Sequence, residues 1–185
     1  MTWNTMWYDT QIPEELVSLI ERECVPYDEK VDVAQVREGV SFKTRDSQTS
    51  WIPATNWVGG FCMSYVLKAN RENYQYDIEG IDQDEIQYTV YEKGQYYNWH
   101  QDATIESVGE DNKLRKLSFI LQLSSPDEYQ GGNIEMKTTD DNVYLVPRRR
   151  GTLIVFDSRT IHRVTEVTGG IRKTLVGWVT GPRWK

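Results

Sequence analysis

Short segments with strand-like alternation fill the chain from Ile86 almost to its end. Side-chain character in these segments changes with a period of two, which is the period of a β-strand. Turn formers such as Gly131-Gly132 and Asp140-Asp141-Asn142 separate them. Strands are predicted over residues 86–91, 99–102, 117–123, 133–137, 143–146, 152–156, 162–167 and 174–179. Many short strands joined by turns favour two packed β-sheets, as in a jelly roll.

The first third of the chain has a helical pattern instead. Residues 12–24 repeat apolar side chains at helical spacing, after Pro13 and two glutamates, which is typical of the start of an amphipathic helix. A second helix is predicted between residues 57 and 76. We therefore expect a mainly β protein with N-terminal helices and a double-stranded β-helix (jelly-roll, cupin-like) core of about eight strands. Residues 1–185 would form a single domain, with 1–84 as a helical support region and 85–185 as the jelly-roll core.

Charge and cysteine content restrict the partners and the compartment. The net charge is −7, which argues against general attraction to nucleic acid or to an anionic membrane. Cys24 and Cys62 allow one disulfide at most, and no charged start followed by an apolar run marks a secretory signal. No apolar run reaches the roughly 18 residues that a membrane span needs. We expect a soluble, cytoplasmic protein without nucleic acid or membrane partners, and the sequence leaves its oligomeric state open.

The two histidines of the chain stand at a spacing that suits a metal centre. His100 opens the tripeptide His100-Gln101-Asp102, and His162 follows far along the chain, ten residues before Arg172. On a strand, side chains two apart share a face, so His100 and Asp102 can reach one metal while Trp99 and Gln101 point away. Two imidazoles and one carboxylate form the facial triad of non-haem iron oxygenases, which leaves coordination positions open. A lone His-x-Asp is common in ordinary strands, so only the whole ordered set of residues indicates a metal site.

This ordered set resembles the iron(II)/2-oxoglutarate-dependent dioxygenases, in particular their prolyl 4-hydroxylase-like branch with its bacterial and viral members. The likeness covers residues 88–178 and is carried by the stretches 91–102, 117–132 and 164–172. The N-terminal third matches less distinctly, through the leading helix and residues 45–51. The resemblance implies a jelly-roll enzyme that uses Fe(II), 2-oxoglutarate and O2, and it leaves open whether ascorbate is needed as a reductant.

The resemblance also implies roles for individual residues. His100, Asp102 and His162 would bind Fe(II), Arg172 would pair with the distal carboxylate of 2-oxoglutarate, and Tyr91 would line the same pocket. A guanidinium suits this role because it offers two parallel donors to a carboxylate. Lys173 is the rival anchor, since collagen-type relatives use lysine. Gln122 stands where relatives often have an aromatic residue; it either binds the cosubstrate through its amide or lies on a solvated face.

The substrate is the least constrained part of the prediction. The branch that the chain resembles favours hydroxylation of a peptidyl residue, with proline first, in a peptide or protein partner. Trp99, Tyr97 and Trp51 are candidates for an aromatic rim that grips such a peptide, although each of them has packing as the more common role. Two other functions stay open: a catalytically inactive jelly-roll binding module, and a zinc-dependent hydrolase that uses the same three ligands. A free amino acid or a small metabolite also remains an alternative substrate, because the fold does not choose the target.

Overall fold

The structure, a computed structural model, describes residues 6–34, 43–104 and 112–184. Its α-helices in these ranges are α1 (Glu14–Asp28) and α2 (Trp57–Ala69), and a π-helical turn continues α2. The strands, in chain order, are β1 (Trp7–Gln11), β2 (Asp32–Val33), β3 (Arg45–Asp46), β4 (Gln48–Pro53), β5 (Gly80–Ile81), β6 (Glu85–Tyr91), β7 (Tyr96–His100), β8 (Leu114–Gln122), β9 (Tyr129–Gly131), β10 (Ile134–Lys137), β11 (Val143–Leu145), β12 (Thr152–Asp157), β13 (Ile161–Val164), β14 (Val167–Gly170) and β15 (Arg172–Gly181).

Two antiparallel sheets make up the body of the protein. The larger sheet has the strand order β1-β12-β8-β15-β6-β4-β2, and β5 pairs with the C-terminal part of β15. The smaller sheet has the order β11-β10-β13-β7-β3, while β9 and β14 form a separate ribbon. Apolar side chains from both sheets, including Ile154 and Phe156 from the larger and Ile134 and Met136 from the smaller, pack in one cluster between them. This arrangement confirms the expected mainly β, jelly-roll class.

The central strands of the larger sheet are buried on both faces, so alternate residues serve two interiors. On β12, Leu153 and Val155 pack under the helices, whereas Ile154 and Phe156 point between the sheets. Each such side chain contributes about 1.5–3 kcal/mol when it leaves water. A strand that is apolar on both faces is typical of a sheet that is covered on both sides. The larger sheet therefore separates a helical layer from the space between the two sheets.

The helices cover the outer face of the larger sheet. Val17 and Ile20 of α1 and Val58 and Cys62 of α2 are completely buried in the same cluster as the β12 residues. Asn56 caps α2 by accepting a hydrogen bond from the backbone N–H of Val58. Cys24 and Cys62 are buried and unbonded to each other. No helix in the described ranges is both long and apolar enough to cross a membrane.

The expected support region, residues 1–84, also supplies strands to both sheets. β1 pairs with β12 at one edge of the larger sheet, β4 pairs with β6, and β3 pairs with β7 in the smaller sheet. Residues 45–51 are mostly polar, and within this segment Thr49 and Ser50 bury small polar side chains. Tertiary pairing, rather than apolar alternation, holds this segment as a strand.

Several predicted boundaries differ from the structure. Helix α1 continues one turn beyond Cys24 to Asp28, whose carboxylate accepts hydrogen bonds from Tyr88 at 2.6 Å and from Lys173 at 2.9 Å. The strand predicted over residues 99–102 lies at Tyr96–His100. The strand predicted over residues 162–167 divides into β13 and β14, because Thr165 bonds Asn133 in between. These contacts are between distant residues, so local pattern could not reveal them.

Candidate metal centre and cavity

The two imidazoles are brought together by direct pairing of their strands. His100, the last residue of β7, stands opposite His162 of β13 in the register of the smaller sheet, and their ring centroids are 4.1 Å apart. Each Nδ1 lies within hydrogen-bond distance of the backbone carbonyl two residues earlier, at Asn98 and at Thr160. Since a carbonyl only accepts, each Nδ1 carries the proton and donates it. Both Nε2 atoms are left with a free lone pair that faces Asp102.

Asp102 lies just beyond β7 and is held from the opposite sheet. Its Oδ1 is 3.6 Å from Nε2 of His100 and its Oδ2 is 3.7 Å from Nε2 of His162. Ser118 of β8 donates to Oδ2 at 2.7 Å, and the backbone N–H of Asp102 donates to the carbonyl of Ser158. The turn after β7 is therefore fixed by side-chain and backbone bonds in place of ladder pairing, and it aims the carboxylate at both rings.

The environment favours the protonation states that a metal needs. Burial, reinforced by the imidazole of His162, lowers the pKa of His100 to about 3. Burial by itself raises the pKa of Asp102, but the two imidazoles and the Ser118 hydroxyl outweigh it, and the pKa lies below its usual value. At neutral pH the cluster therefore offers a neutral imidazole and an ionised carboxylate, which are the metal-binding forms.

The three side chains fit a divalent transition metal. One ligand atom from each of His100, Asp102 and His162 lies within 4.8 Å of the others. Two imidazole nitrogens and one carboxylate oxygen suit iron with open coordination positions. In the described part of the chain, neither Lys nor Arg forms an ion pair with the buried Asp102 carboxylate. A metal cation would supply the missing positive charge.

A cavity between the two sheets contains these three residues and the predicted cosubstrate arginine. Its empty volume is about 400 Å³, part of which is open to solvent, and Arg172, Thr174, Val176 and Trp178 of β15 line one wall. Arg172 is 1% exposed, and its Nε and the hydroxyl of Thr174 have no hydrogen-bond partner among the described residues. Buried polar groups are normally satisfied, so these atoms are suited to a polar ligand.

Arg172 and its neighbour point in opposite directions. Arg172 donates to the side-chain carbonyl of Gln122 at 3.1 Å, and its guanidinium lies 5.3 Å from the ring centroid of Tyr91. Lys173 instead reaches the helical side, where its ammonium donates to both carboxylate oxygens of Asp28. Alternation along β15 produces this separation. The structure therefore places Arg172 at the cavity and Lys173 away from it.

Gln122 and Tyr91 both lie beside the guanidinium of Arg172. Gln122 is buried and bonded to Arg172, so it does not lie on a solvated face. Tyr91 lines the cavity and stands opposite Arg172 in the pairing of β6 with β15. Both residues therefore lie next to the Arg172 guanidinium, and Tyr91 also lines the cavity.

The three candidate rim residues occupy different places. Tyr97 lines the cavity and stacks on the ring of His100, with centroids 3.5 Å apart. Trp51 is 42% exposed and lies 6.2 Å from the ring of Trp178, which reaches the cavity. Trp99 points to the other face of β7, where the cations of Lys137 and Arg163 cover its ring. The structure does not bring Trp99 together with the other site residues.

Arg45, Gln87, Thr174 and Trp178 line the cavity although they were not among the predicted site residues. Thr174 and Trp178 follow Arg172 on the same strand at spacings of two, and this alternation indicates that they share its face. Arg45 and Gln87 come from strands whose positions depend on long-range pairing, so local pattern gave no indication of them.

The C-terminal half of the chain is similar in sequence to known oxygenases. The model of the 2OG-Fe(II) oxygenase superfamily matches residues 86–180. A PKHD-type hydroxylase of Synechococcus elongatus is 38% identical over 93 residues, which are 50% of this chain and 41% of that protein. A PKHD-type hydroxylase of Prochlorococcus marinus is 35% identical over 94 residues, 51% of this chain and 40% of that protein. The chain thus spans about two-fifths of the length of these curated relatives.

Solved structures with the same fold cover nearly the whole chain. A Pseudomonas putida prolyl-4-hydroxylase has a TM-score of 0.75 at 24% identity, over 95% of this chain and 92% of that one. A Trichoplax adhaerens prolyl hydroxylase, in complex with a peptide fragment of the hypoxia inducible factor oxygen degradation domain, has a TM-score of 0.78 at 15% identity, over 96% and 84%. A viral collagen prolyl hydroxylase from Paramecium Bursaria Chlorella virus-1, in its 2OG complex, has a TM-score of 0.69 at 16% identity, over 96% and 97%.

Proposed function

Because the chain belongs to the 2OG-Fe(II) oxygenase superfamily, we propose that it is a dioxygenase that uses Fe(II), 2-oxoglutarate and O2 to hydroxylate a C–H bond of its substrate. One observation carries the proposal: three metal-ligand atoms within 4.8 Å of one another lie in the same cavity as a buried, incompletely bonded arginine. The metal triad accounts for iron, and the arginine accounts for a dicarboxylate cosubstrate.

In this proposal His100, Asp102 and His162 hold the metal. Hydrogen bonds from Nδ1–H to backbone carbonyls orient each imidazole so that its Nε2 faces the metal site. The Ser118 hydroxyl orients the carboxylate of Asp102. When bound there, the ferrous ion supplies the centre at which O2 and 2-oxoglutarate react, giving succinate, CO2 and the oxidising power for hydroxylation. The part of the protein is to orient the reactants and to exclude water.

Arg172 binds the distal carboxylate of 2-oxoglutarate in this scheme. Its buried Nε has no hydrogen-bond partner among the described residues, and Nη2 already donates to Gln122. A carboxylate would accept a charge-assisted pair of bonds from this guanidinium. The hydroxyl of Thr174, two residues along β15, is likewise unpartnered in the described ranges and could add a further bond. Tyr91 forms the adjacent wall. The low polarity of the buried surroundings would strengthen the interaction between the Arg172 guanidinium and this carboxylate.

The proposed substrate is a peptidyl residue, with proline as the first choice. The PKHD-type and prolyl hydroxylase names of similar proteins support this class, as does the peptide bound by the Trichoplax enzyme. Tyr97 and Trp178 at the cavity, with Trp51 beside Trp178, offer aromatic surface for a prolyl ring. The proposal also includes a single domain over residues 1–185, action in the cytoplasm, and ascorbate as an auxiliary reductant.

Succinate release tests the proposal and separates it from the two alternatives. Purified protein with Fe(II) and 2-oxoglutarate would be incubated in air with proline-rich peptides, free proline and non-prolyl peptides, with and without ascorbate. We expect succinate in stoichiometric excess over enzyme and a mass gain of one oxygen on a prolyl peptide. An inactive binding module or a zinc hydrolase would release no succinate, and that result would contradict the proposed function.

A further inference from the structure

A second buried arginine lines the cavity on the side of the metal ligands. Arg45 of β3 is 5% exposed, and its Nε donates to the hydroxyl of Ser47 at 2.8 Å. Its Nη1 lies 3.5 Å from the side-chain carbonyl of Gln87, which is a weak contact. The guanidinium stands 4.7 Å from the ring centroid of Tyr97, and that ring stacks directly on His100. One aromatic ring therefore separates Arg45 from the metal centre.

Every contact of Arg45 that the structure describes is with a neutral group. In the described ranges no carboxylate pairs with it, and Asp102 is the one acidic residue among those that line the cavity. The two hydrogen bonds that the structure describes for Arg45 use Nε and Nη1, and none of those described uses Nη2. An arginine stays charged at any pH the protein meets. A buried cation without a counter-ion is costly, which favours an anion as its partner.

The formal charges of the cavity with iron and 2-oxoglutarate bound also favour an anionic substrate. Arg45, Arg172 and a divalent iron would bring four positive charges, while Asp102 and the dicarboxylate cosubstrate would bring three negative ones. The imidazoles are neutral as ligands. One positive charge thus remains among the groups of the described cavity, and Arg45 is the cation in it that none of these anions is expected to pair with. A substrate with a single negative charge would neutralise it.

We propose that Arg45 binds a carboxylate of the primary substrate, close to the carbon that is hydroxylated. This inference rests on the proposed function and adds the chemical class of the substrate: an anionic rather than a neutral target. The carboxylate can come from a free amino acid, from the C-terminal residue of a peptide, or from an acidic side chain beside the target residue. All three present the same two oxygens to the guanidinium fork.

The competing role for Arg45 is purely structural. Its stacking on Tyr97 could serve to hold that ring against His100. A structural role would alter metal binding and cosubstrate turnover for every substrate alike. Recognition of a carboxylate would alter only the preference between charged and neutral substrates, so a charge-matched substrate panel distinguishes the two.

The experiment compares Arg45→Gln with wild type on three pairs of ligands. The pairs are proline and prolinamide, a prolyl peptide with a free and with an amidated C-terminus, and an amidated peptide with Asp or Asn beside proline. Binding to the anaerobic Fe(II)–2-oxoglutarate protein is measured by calorimetry, and kcat/KM is measured in air. Arg45→Lys keeps the positive charge but lacks the two parallel N–H donors of the guanidinium. Arg22→Gln, at an exposed position of α1, is the surface control.

We expect wild type and Arg22→Gln to prefer the carboxylate member of at least one pair by 10-fold or more, in binding and in kcat/KM. Arg45→Gln should lose this preference while its binding of Fe(II) and 2-oxoglutarate is unchanged, and Arg45→Lys should retain part of it. The pair that shows the preference identifies the source of the carboxylate. Equal binding within every pair by wild type, or an undiminished preference in Arg45→Gln, would overturn the inference. Absence of Fe(II)-dependent succinate release from wild type would instead contradict the proposed function.

Discussion

Ser118 donates a hydrogen bond of 2.7 Å to Oδ2 of Asp102, and its own hydroxyl lies 2.9 Å from the hydroxyl of Ser158. Ser118 belongs to the larger sheet, whereas the paired His100 and His162 belong to the smaller one. The hydrogen bond therefore fixes the carboxylate relative to the imidazoles across the space between the sheets.

Loss of this hydrogen bond should weaken metal binding. We predict that Ser118→Ala lowers Fe(II) affinity roughly 10-fold, because groups that orient metal ligands typically contribute this much. Anaerobic metal titration would measure the effect. Ser64→Ala, which removes an exposed hydroxyl on α2, is the matched control and should bind Fe(II) like wild type. An unchanged affinity in Ser118→Ala would show that Asp102 needs no support from β8.

Removal of one metal ligand should stop turnover without unfolding the protein. His162→Ala is expected to abolish 2-oxoglutarate turnover, because two remaining ligands bind iron weakly. Ile161→Ala alters the preceding, exposed residue of β13 and should keep full activity. Succinate release measures turnover and circular dichroism confirms the fold. Full turnover in His162→Ala would exclude His162 from the site.

The two neighbours at the start of β15 should behave differently. Arg172→Ala is expected to raise the KM for 2-oxoglutarate about 10- to 100-fold with Fe(II) still bound, since a hydrogen bond to a charged group contributes about 1.5–3 kcal/mol. Arg172→Lys should be intermediate. Lys173→Ala should leave this KM unchanged and lower stability modestly, because Lys173 bonds Asp28 of α1. The reverse pattern in the two alanine variants would assign the cosubstrate to Lys173.

Asp157 should make stability depend on pH in the acidic range. Burial raises the pKa of Asp157, but hydrogen bonds from Arg159 and Tyr76 outweigh it and hold the pKa below its usual value of 3.8. A lowered folded-state pKa contributes stability above 3.8, and this stability is lost as the pH falls through the folded-state value. Asp157→Asn should therefore be less stable than wild type by about 1 kcal/mol at pH 7.

Urea unfolding at several pH values would measure the Asp157 effect. The difference between wild type and Asp157→Asn should narrow below about pH 4, where the wild-type carboxyl takes up its proton. Asp9→Asn, at an exposed position of β1, controls for a general change of net charge. A difference that stayed constant from pH 7 to pH 3 would contradict the ion-pair role of Asp157.

Much of the fold could be predicted because the central strands are regular. In β8, β12 and β15 the side chains that point between the two sheets alternate with those that face the helices, and this period is visible in the sequence. The same alternation indicated that only one of Arg172 and Lys173 could face inward. The family resemblance implied that His100 and His162 bind one metal, and the structure places these side chains together on paired strands.

The rest depended on contacts between distant residues. Asp102 lies in the turn after β7, although an extended strand was expected there. Hydrogen bonds with Ser118 and Ser158 orient its carboxylate. Arg45 lies in β3, a strand of two residues that is defined by its pairing with β7 and not by a local sequence pattern. Local pattern cannot identify such a residue as buried, because a charged side chain in a polar stretch normally reads as a solvated loop.

Anaerobic titration with Fe(II) and 2-oxoglutarate is the most direct test of the central claim, that His100, Asp102 and His162 hold iron in a cavity where Arg172 binds the cosubstrate. We predict a weak visible charge-transfer band that saturates at one iron per chain in wild type. The band should be absent in His162→Ala and should need more 2-oxoglutarate in Arg172→Ala. A wild-type protein without the band, or a band of full intensity in His162→Ala, would contradict the account.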